Sequence, residues 1–190
     1  MPRELFEYDP PDRFVAGTVG QPGERTFYVQ ARSGARTTSV IVEKQQVALL
    51  SERLDELLSE VLRRAEGPLP IPVEASGALD LEPLELPLTE EFRVGAIGLG
   101  WNGEIERAVI ELHATVESDE FEVPELDEDD VPDTAPACLR VRITGAQARD
   151  FIVRSNALVS AGRPPCPLCH LPLDPEGHVC PRANGYRRRA

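Results

Sequence analysis

A change from strand-like to helix-like periodicity occurs twice along this chain, and it limits the possible folds more than any other feature. In the first half, the runs 13–20, 25–32 and 37–42 are rich in β-branched and aromatic residues, as strands are. Apolar residues then recur every three or four positions, which indicates an amphipathic helix. They are Val47, Leu50, Leu54, Leu57 and Val61. This half therefore predicts three strands followed by a helix that ends before Pro68.

The second half has the same order of patterns. Strand-like runs at 92–98, 104–116 and 139–143 precede a helix that begins with a capping box formed by Thr144 and Gln147. Several residues match between the halves at fixed offsets of 80 and 101 positions. The difference between the two offsets is about the length of an acidic segment, which therefore resembles an insertion.

These patterns predict an α+β fold built from two tandem βββα repeats. The repeats are expected to form a mostly antiparallel sheet with both helices on one face. The predicted boundaries are a duplicated domain at 1–162, with repeat one at about 13–66, a linker at 67–90, repeat two at about 91–162 and an acidic insertion at 117–133. A separate tail follows at 163–190.

The charge of the chain is negative and unevenly distributed. The formal net charge is −13, and ten of the 33 acidic residues lie within 117–133, which contains no basic residue. Like charges repel at this density, so we expect a solvated loop, with a docking site for a basic partner as the alternative. The net charge argues against binding to duplex nucleic acid or to an anionic membrane. No apolar run is long enough to span a membrane and no signal region precedes residue 14, so we expect a cytoplasmic protein.

A glycine-rich motif at 98–103 matches the G-x-G-x-x-G pattern of dinucleotide-binding proteins. In those proteins the motif joins a strand to a helix, so that the helix N-terminus meets the pyrophosphate. Here the residues that follow, 110–116, alternate between apolar and polar side chains, as in a strand. We therefore interpret the motif as a glycine-rich hairpin.

Three further residues stand singly in the sequence and form no catalytic motif. His113 lies on the polar side of the predicted strand and is expected to be a solvated surface histidine. Trp101, at the turn, either anchors a ligand or a partner or packs back onto the sheet. Cys138, at the head of a strand, is expected to be a small buried apolar residue.

The C-terminal tail carries three of the four cysteines, in a pattern typical of zinc sites. Cys166 and Cys169 form a Cys-x-x-Cys turn, and His178 and Cys180 follow as a His-x-Cys pair. We predict that these four side chains bind zinc in a zinc knuckle, with His170 as the alternative fourth ligand. Because four protein ligands leave no open coordination position, the zinc is expected to be structural. A redox-active Cys-x-x-Cys, or a disulfide with a spare thiol, is the other interpretation.

Two stretches of the sequence carry a resemblance to a known family: FEYDPPDRF at 6–14 and, within 166–186, CPLC and PLDPEGHVCPRANGY. Through them the chain resembles an uncharacterised family of small actinobacterial proteins, classed as a domain of unknown function. The resemblance covers nearly the whole chain. It implies that the Cys/His tail is a feature of the family, which favours His178 as a ligand, and it implies no activity.

The sequence shows no nucleophile motif, phosphate-binding loop or catalytic zinc motif. It therefore predicts a non-catalytic interaction or adaptor protein with a structural zinc site, whose partner is another protein. The alternative is an enzyme that acts on a phosphorylated small molecule in a cleft between the repeats. The residues expected to line that cleft are Arg13, Glu24, Glu104 and Arg154. Binding of single-stranded nucleic acid by the knuckle and the arginine-rich end of the chain (residues 182–189) is a third possibility.

Overall fold

The computed structural model of the chain describes residues 4–21, 23–76, 80–116, 125–127 and 135–161, together with Leu168 and Cys180. These residues form a mixed α+β structure, as predicted. The elements within them are β1 (Leu5–Tyr8), β2 (Arg13–Val19), β3 (Thr26–Ser33), β4 (Arg36–Val42), α1 (Lys44–Arg64), β5 (Glu90–Asn102), β6 (Arg107–Ala114), β7 (Cys138–Ile143) and α2 (Gly145–Ser160).

The seven strands form one sheet in the order β1-β7-β6-β5-β4-β3-β2. The strands β2, β3 and β4 are antiparallel neighbours, and so are β5, β6 and β7. The two groups meet where β4 runs parallel to β5, and β1 runs parallel to β7 at one edge. Strand β1 was not predicted, because it is short and its partner lies more than 130 residues away in the chain.

Three strands followed by a helix occur twice in chain order, after β1. The predicted strand and helix positions agree with the observed elements to within a few residues, apart from a longer β5. That the two halves are copies of one repeat stays a prediction, as does the division of the chain into a domain at 1–162 and a tail at 163–190.

One apolar core joins both helices to one face of the sheet. Helix α1 buries side chains at helical spacing, among them Val47, Leu50 and Leu54, and α2 buries Phe151 and Ile152. The two helices also contact each other. Helix α2 begins with the predicted capping box, in which the Thr144 hydroxyl accepts a hydrogen bond from the Gln147 amide at 3.1 Å. Neither helix is long and apolar enough to cross a membrane.

The opposite face of the sheet is also covered in part. Leu84 of the linker packs against Val15 and Tyr28 in a second, smaller apolar cluster. Leu84 is therefore buried against the sheet, whereas Leu81 and Leu86 remain about four-fifths exposed. Because part of this face is covered, polar side chains on it can be buried. A two-layer fold, in which this face of the sheet is solvated, does not predict such burial.

Candidate functional site

Four polar or sulfur-containing side chains lie side by side on the helix-free face of the sheet. The strand register places Glu111 of β6 opposite Arg140 of β7, and His113 of β6 opposite Cys138 of β7. Side chains alternate between the two faces of a strand, so these four point away from the apolar core. Each is 0 or 1 % exposed. We call them the β6–β7 cluster. The expectation that His113 is a solvated surface residue is wrong, whereas the burial predicted for Cys138 is confirmed.

Glu111 is the centre of the hydrogen bonds in this cluster. Its Oε1 accepts from Arg140 Nε at 2.6 Å and from the Asp127 backbone amide at 3.1 Å, and its Oε2 lies 3.1 Å from His113 Nε2. Burial raises the pKa of Glu111, but the hydrogen bonds from His113, Arg140 and the Asp127 amide outweigh burial, and the pKa lies below its usual value. Glu111 is therefore an ionised carboxylate at neutral pH. Since an ionised carboxylate only accepts hydrogen bonds, His113 Nε2 carries the hydrogen.

The middle of the acidic segment packs against the sheet next to this cluster. Leu126 lies over Gly98 and Gly100 of β5, and a Cβ atom at Gly98 would come within 3.0 Å of a Leu126 methyl. The glycine-rich motif therefore belongs to an antiparallel hairpin, as predicted, and its first two glycines leave room for Leu126.

The carboxylate of Asp127 attaches the same acidic segment to the sheet. Its carboxylate accepts from Arg142 Nε at 2.8 Å and from Asn102 Nδ2 at 3.0 Å, and Arg142 also binds Glu7 of β1 at 2.5 Å. The acidic segment was expected to be a solvated loop. This is wrong for Leu126 and Asp127, because each has a partner on the sheet that is distant in sequence.

The β6–β7 cluster contains donor atoms that could hold a metal ion. A ring nitrogen of His113, the Sγ of Cys138 and a carboxylate oxygen of Glu111 all lie within 4.8 Å of one another. Nitrogen, sulfur and oxygen are the donors that zinc uses in proteins. Sequence spacing did not reveal this group, because Cys138 meets His113 only through strand pairing. The one local signal was the Glu-x-His pattern, which places both side chains on the same face of a strand.

Only one of the zinc ligands predicted in the tail lies among the described residues. Cys166, Cys169, His170 and His178 lie outside the described residues, so the zinc knuckle stays a prediction. Cys180 is described and is 6 % exposed. It is not a member of the group formed by Glu111, His113 and Cys138.

Two of the four residues expected to line an enzyme cleft do come together. Arg13 of β2 binds Asp80 through Nε at 2.6 Å and through NH2 at 3.0 Å, and Arg154 of α2 binds the same carboxylate through NH1 at 3.0 Å. The remaining donors of both arginines point to backbone carbonyls of Ala16, Glu82 and Pro83. This group, which we call the Asp80 clamp, holds the linker against the sheet and α2.

The other two predicted residues lie elsewhere. Glu24 is exposed in the β2–β3 turn, and Glu104 is exposed in the β5–β6 turn. A cavity of about 120 Å³ adjoins Arg13 and Arg154, and neither glutamate lines it. The structure therefore does not bring the four predicted residues into one cleft.

A larger groove opens at the end of α1. It has a volume of about 370 Å³ and is lined by Val61 and Arg64 of α1, by residues 65–69 and by Trp101. Trp101, Val61 and Leu69 also pack against the apolar core. We call this feature the Trp101 groove.

Comparison with known proteins identifies the family of the chain. No curated protein and no solved structure is significantly similar to the chain. A family described as "Protein of unknown function (DUF3090)" matches residues 6–180, which is nearly the whole sequence. The chain therefore belongs to the DUF3090 family.

Proposed function

We propose that this protein is a non-catalytic interaction protein whose partner is another protein. The observation that carries the proposal is the Trp101 groove. It is concave, largely apolar and open to solvent, and an aromatic side chain forms one wall. Apolar surface of this kind is typical of protein interfaces, and tryptophan is one of the residues that contribute most to binding energy there.

The groove suits an apolar side chain of a partner protein. Three of the residues that line it, Val61, Leu69 and Trp101, also pack on the core, which holds them in place. Its rim carries both signs of charge, from Arg64 and Glu66. An apolar centre with a polar rim is the usual arrangement of a protein interface.

The alternative, an enzyme acting on a phosphorylated small molecule, has less support. Each guanidinium nitrogen of Arg13 and Arg154 already donates to Asp80 or to a backbone carbonyl. A phosphate would compete with these bonds for the same guanidinium groups. The adjoining cavity of about 120 Å³ is also small beside ligand pockets of roughly 300–1,000 Å³.

A structural zinc ion in the tail is part of the same proposal. Its predicted ligands are Cys166, Cys169, His178 and Cys180. The burial of Cys180 supports a tail residue held against protein rather than an exposed, reactive thiol. The zinc would order a segment too short to have its own apolar core.

The test is affinity capture of the tagged full-length protein from its own cells, with the variant Trp101→Ala. Loss of a central tryptophan from an interface typically costs about 2 kcal/mol or more, so the captured partner should fall by at least about tenfold. The matched control is Leu86→Ala, which removes an exposed leucine outside the groove.

A second variant separates binding from folding. Arg64→Glu changes the rim of the groove without touching the core, and it should also weaken capture. If Trp101→Ala and Arg64→Glu both fold, as judged by circular dichroism, and both retain the partner at the yield of the unaltered protein, the proposal is wrong.

A further inference from the structure

His113 has a buried nitrogen that the described part of the chain leaves unsatisfied. The side chain is 0 % exposed, and Nε2 faces Glu111 at 3.1 Å. Nδ1 has no hydrogen-bond partner among the described residues. Buried polar atoms almost always have a partner, so a buried nitrogen without a protein partner is a position where a bound ion or water can serve as one.

The contact with Glu111 leaves one nitrogen of His113 for a ligand. Nε2 faces the Glu111 carboxylate at 3.1 Å, so Nδ1 is the ring nitrogen that remains without a protein partner among the described residues. A histidine oriented by a carboxylate on one nitrogen, with the other nitrogen free as a ligand, is the usual arrangement at protein metal sites. Arg140 and the Asp127 amide in turn fix the Glu111 carboxylate.

Cys138 supplies a second donor beside the ring. It is the direct cross-strand partner of His113, and its Sγ belongs to the group of donor atoms within 4.8 Å of one another. Zinc–nitrogen and zinc–sulfur bonds of roughly 2.0–2.3 Å in a tetrahedron place the two ligand atoms about 3.6 Å apart. A ring nitrogen of His113 and Cys138 Sγ, which lie within 4.8 Å of each other, are therefore near the spacing that one shared ion requires.

A cysteine, a histidine and a carboxylate can also form a catalytic triad. A nucleophile must be reached by its substrate, and Cys138 is 0 % exposed. Neither the cavity at Arg13 nor the Trp101 groove is lined by any residue of the β6–β7 cluster. The burial favours an ion over a substrate.

We propose that His113 Nδ1 and Cys138 Sγ are ligands of a transition metal ion of the zinc type, on the sheet face opposite the helices, and that Glu111 is the positioning residue for His113. This site is distinct from the ligand set predicted in the tail, and it does not depend on the proposed interaction function.

The first test measures how many equivalents of metal each protein binds. Full-length protein is stripped with a chelator, reloaded with cobalt(II) and analysed for metal content and for thiolate-to-cobalt absorption. Cys138→Ser and His113→Gln should each bind one equivalent less than the unaltered protein, and the double variant should lose the same single equivalent. Each variant is compared with the unaltered protein, and both have the same tail. The difference in metal content is therefore independent of any metal that the tail binds. Unchanged metal content in folded variants would overturn the proposal.

The second test separates a positioning residue from a ligand. Glu111→Gln keeps an acceptor oxygen but loses the charge, so it should bind the full metal complement at saturation with an affinity about 10–100-fold lower in competition with a chelator. An affinity equal to that of the unaltered protein would refute the positioning role.

The third test uses the protein without substitution, in case the variants do not fold. A crystal structure of the zinc-loaded protein, with anomalous scattering recorded at the zinc absorption edge, should show a peak about 2.3 Å from Cys138 Sγ and about 2.0 Å from His113 Nδ1. A zinc-loaded crystal with no peak at these two atoms would contradict metal ligation by them.

Discussion

Asp80 shows how one carboxylate connects three parts of the chain. It lies on the linker and binds Arg13 of β2 and Arg154 of α2. The hydrogen bond from Arg13 lowers the pKa of Asp80 below its usual value, and this effect outweighs the opposing effect of burial. A carboxyl whose pKa is lower in the folded chain than in the unfolded chain stabilises the fold while it is ionised.

The variant Asp80→Asn should lower the free energy of unfolding by about 1–2 kcal/mol at pH 7, because both arginines lose a charged acceptor. The contribution of Asp80 is complete above the ordinary aspartate pKa of about 4 and is lost as the pH falls through the folded-state pKa. Urea unfolding should therefore show a difference between variant and unaltered protein that is full at pH 7 and shrinks as the pH is lowered below about 4. The control Asp55→Asn removes a more exposed partner of Arg149 and should change stability by about 0.5 kcal/mol or less.

Among the single elements, α2 begins with a residue that close packing requires although its helix propensity is low. Thr144 caps the helix, and the next residue is Gly145, which is a poor helix former. A Cβ atom at Gly145 would lie 2.8 Å from the Cα of Ile71 and 2.9 Å from the carbonyl oxygen of Pro70. The glycine therefore allows the linker backbone to cross close to the first turn of α2.

Propensity alone predicts that Gly145→Ala would stabilise α2 by up to about 1 kcal/mol. We expect the opposite, a destabilisation of about 1–3 kcal/mol, because the new methyl group meets backbone atoms that cannot rotate away. Gly67→Ala is the control, since a Cβ atom there has no atom within 4 Å. It should be neutral or slightly stabilising. Thermal unfolding of both variants measures the difference, and equal melting temperatures would contradict the close approach.

Across the whole molecule, the two βββα halves share one core. Its residues come from both helices and from strands on both sides of the β4–β5 junction. A side-chain contact joins the helices directly, because Ser51 Oγ of α1 lies 2.9 Å from Asn156 Oδ1 of α2. Neither half buries its apolar face without the other.

The protein should consequently unfold in one cooperative transition. Native-state hydrogen exchange should give opening free energies for β3 and for β6 that agree within about 1 kcal/mol, because strands of one core open together. Two clearly separate values would mean that the halves are independent folding units.

The strands and helices could be predicted because periodicity is a local property. The stripe from Val47 to Val61 specifies α1, and the alternation at 110–116 identifies β6 rather than a nucleotide-binding turn. The candidate site could not be predicted in the same way. His113 and Cys138 are 25 positions apart in sequence, and only the β6–β7 register makes them neighbours.

By itself, the sequence determined the α+β class, the order of three strands and a helix in each half, and the capping of α2, because each depends on residues within a few positions of one another. It also supplies the cysteine and histidine pattern of the tail, which remains a zinc prediction. Only the tertiary structure decided that the polar face of β6 is buried and that Glu111, His113 and Cys138 meet there. Burial depends on which distant segment covers a surface, and alternation along one strand carries no information about that segment.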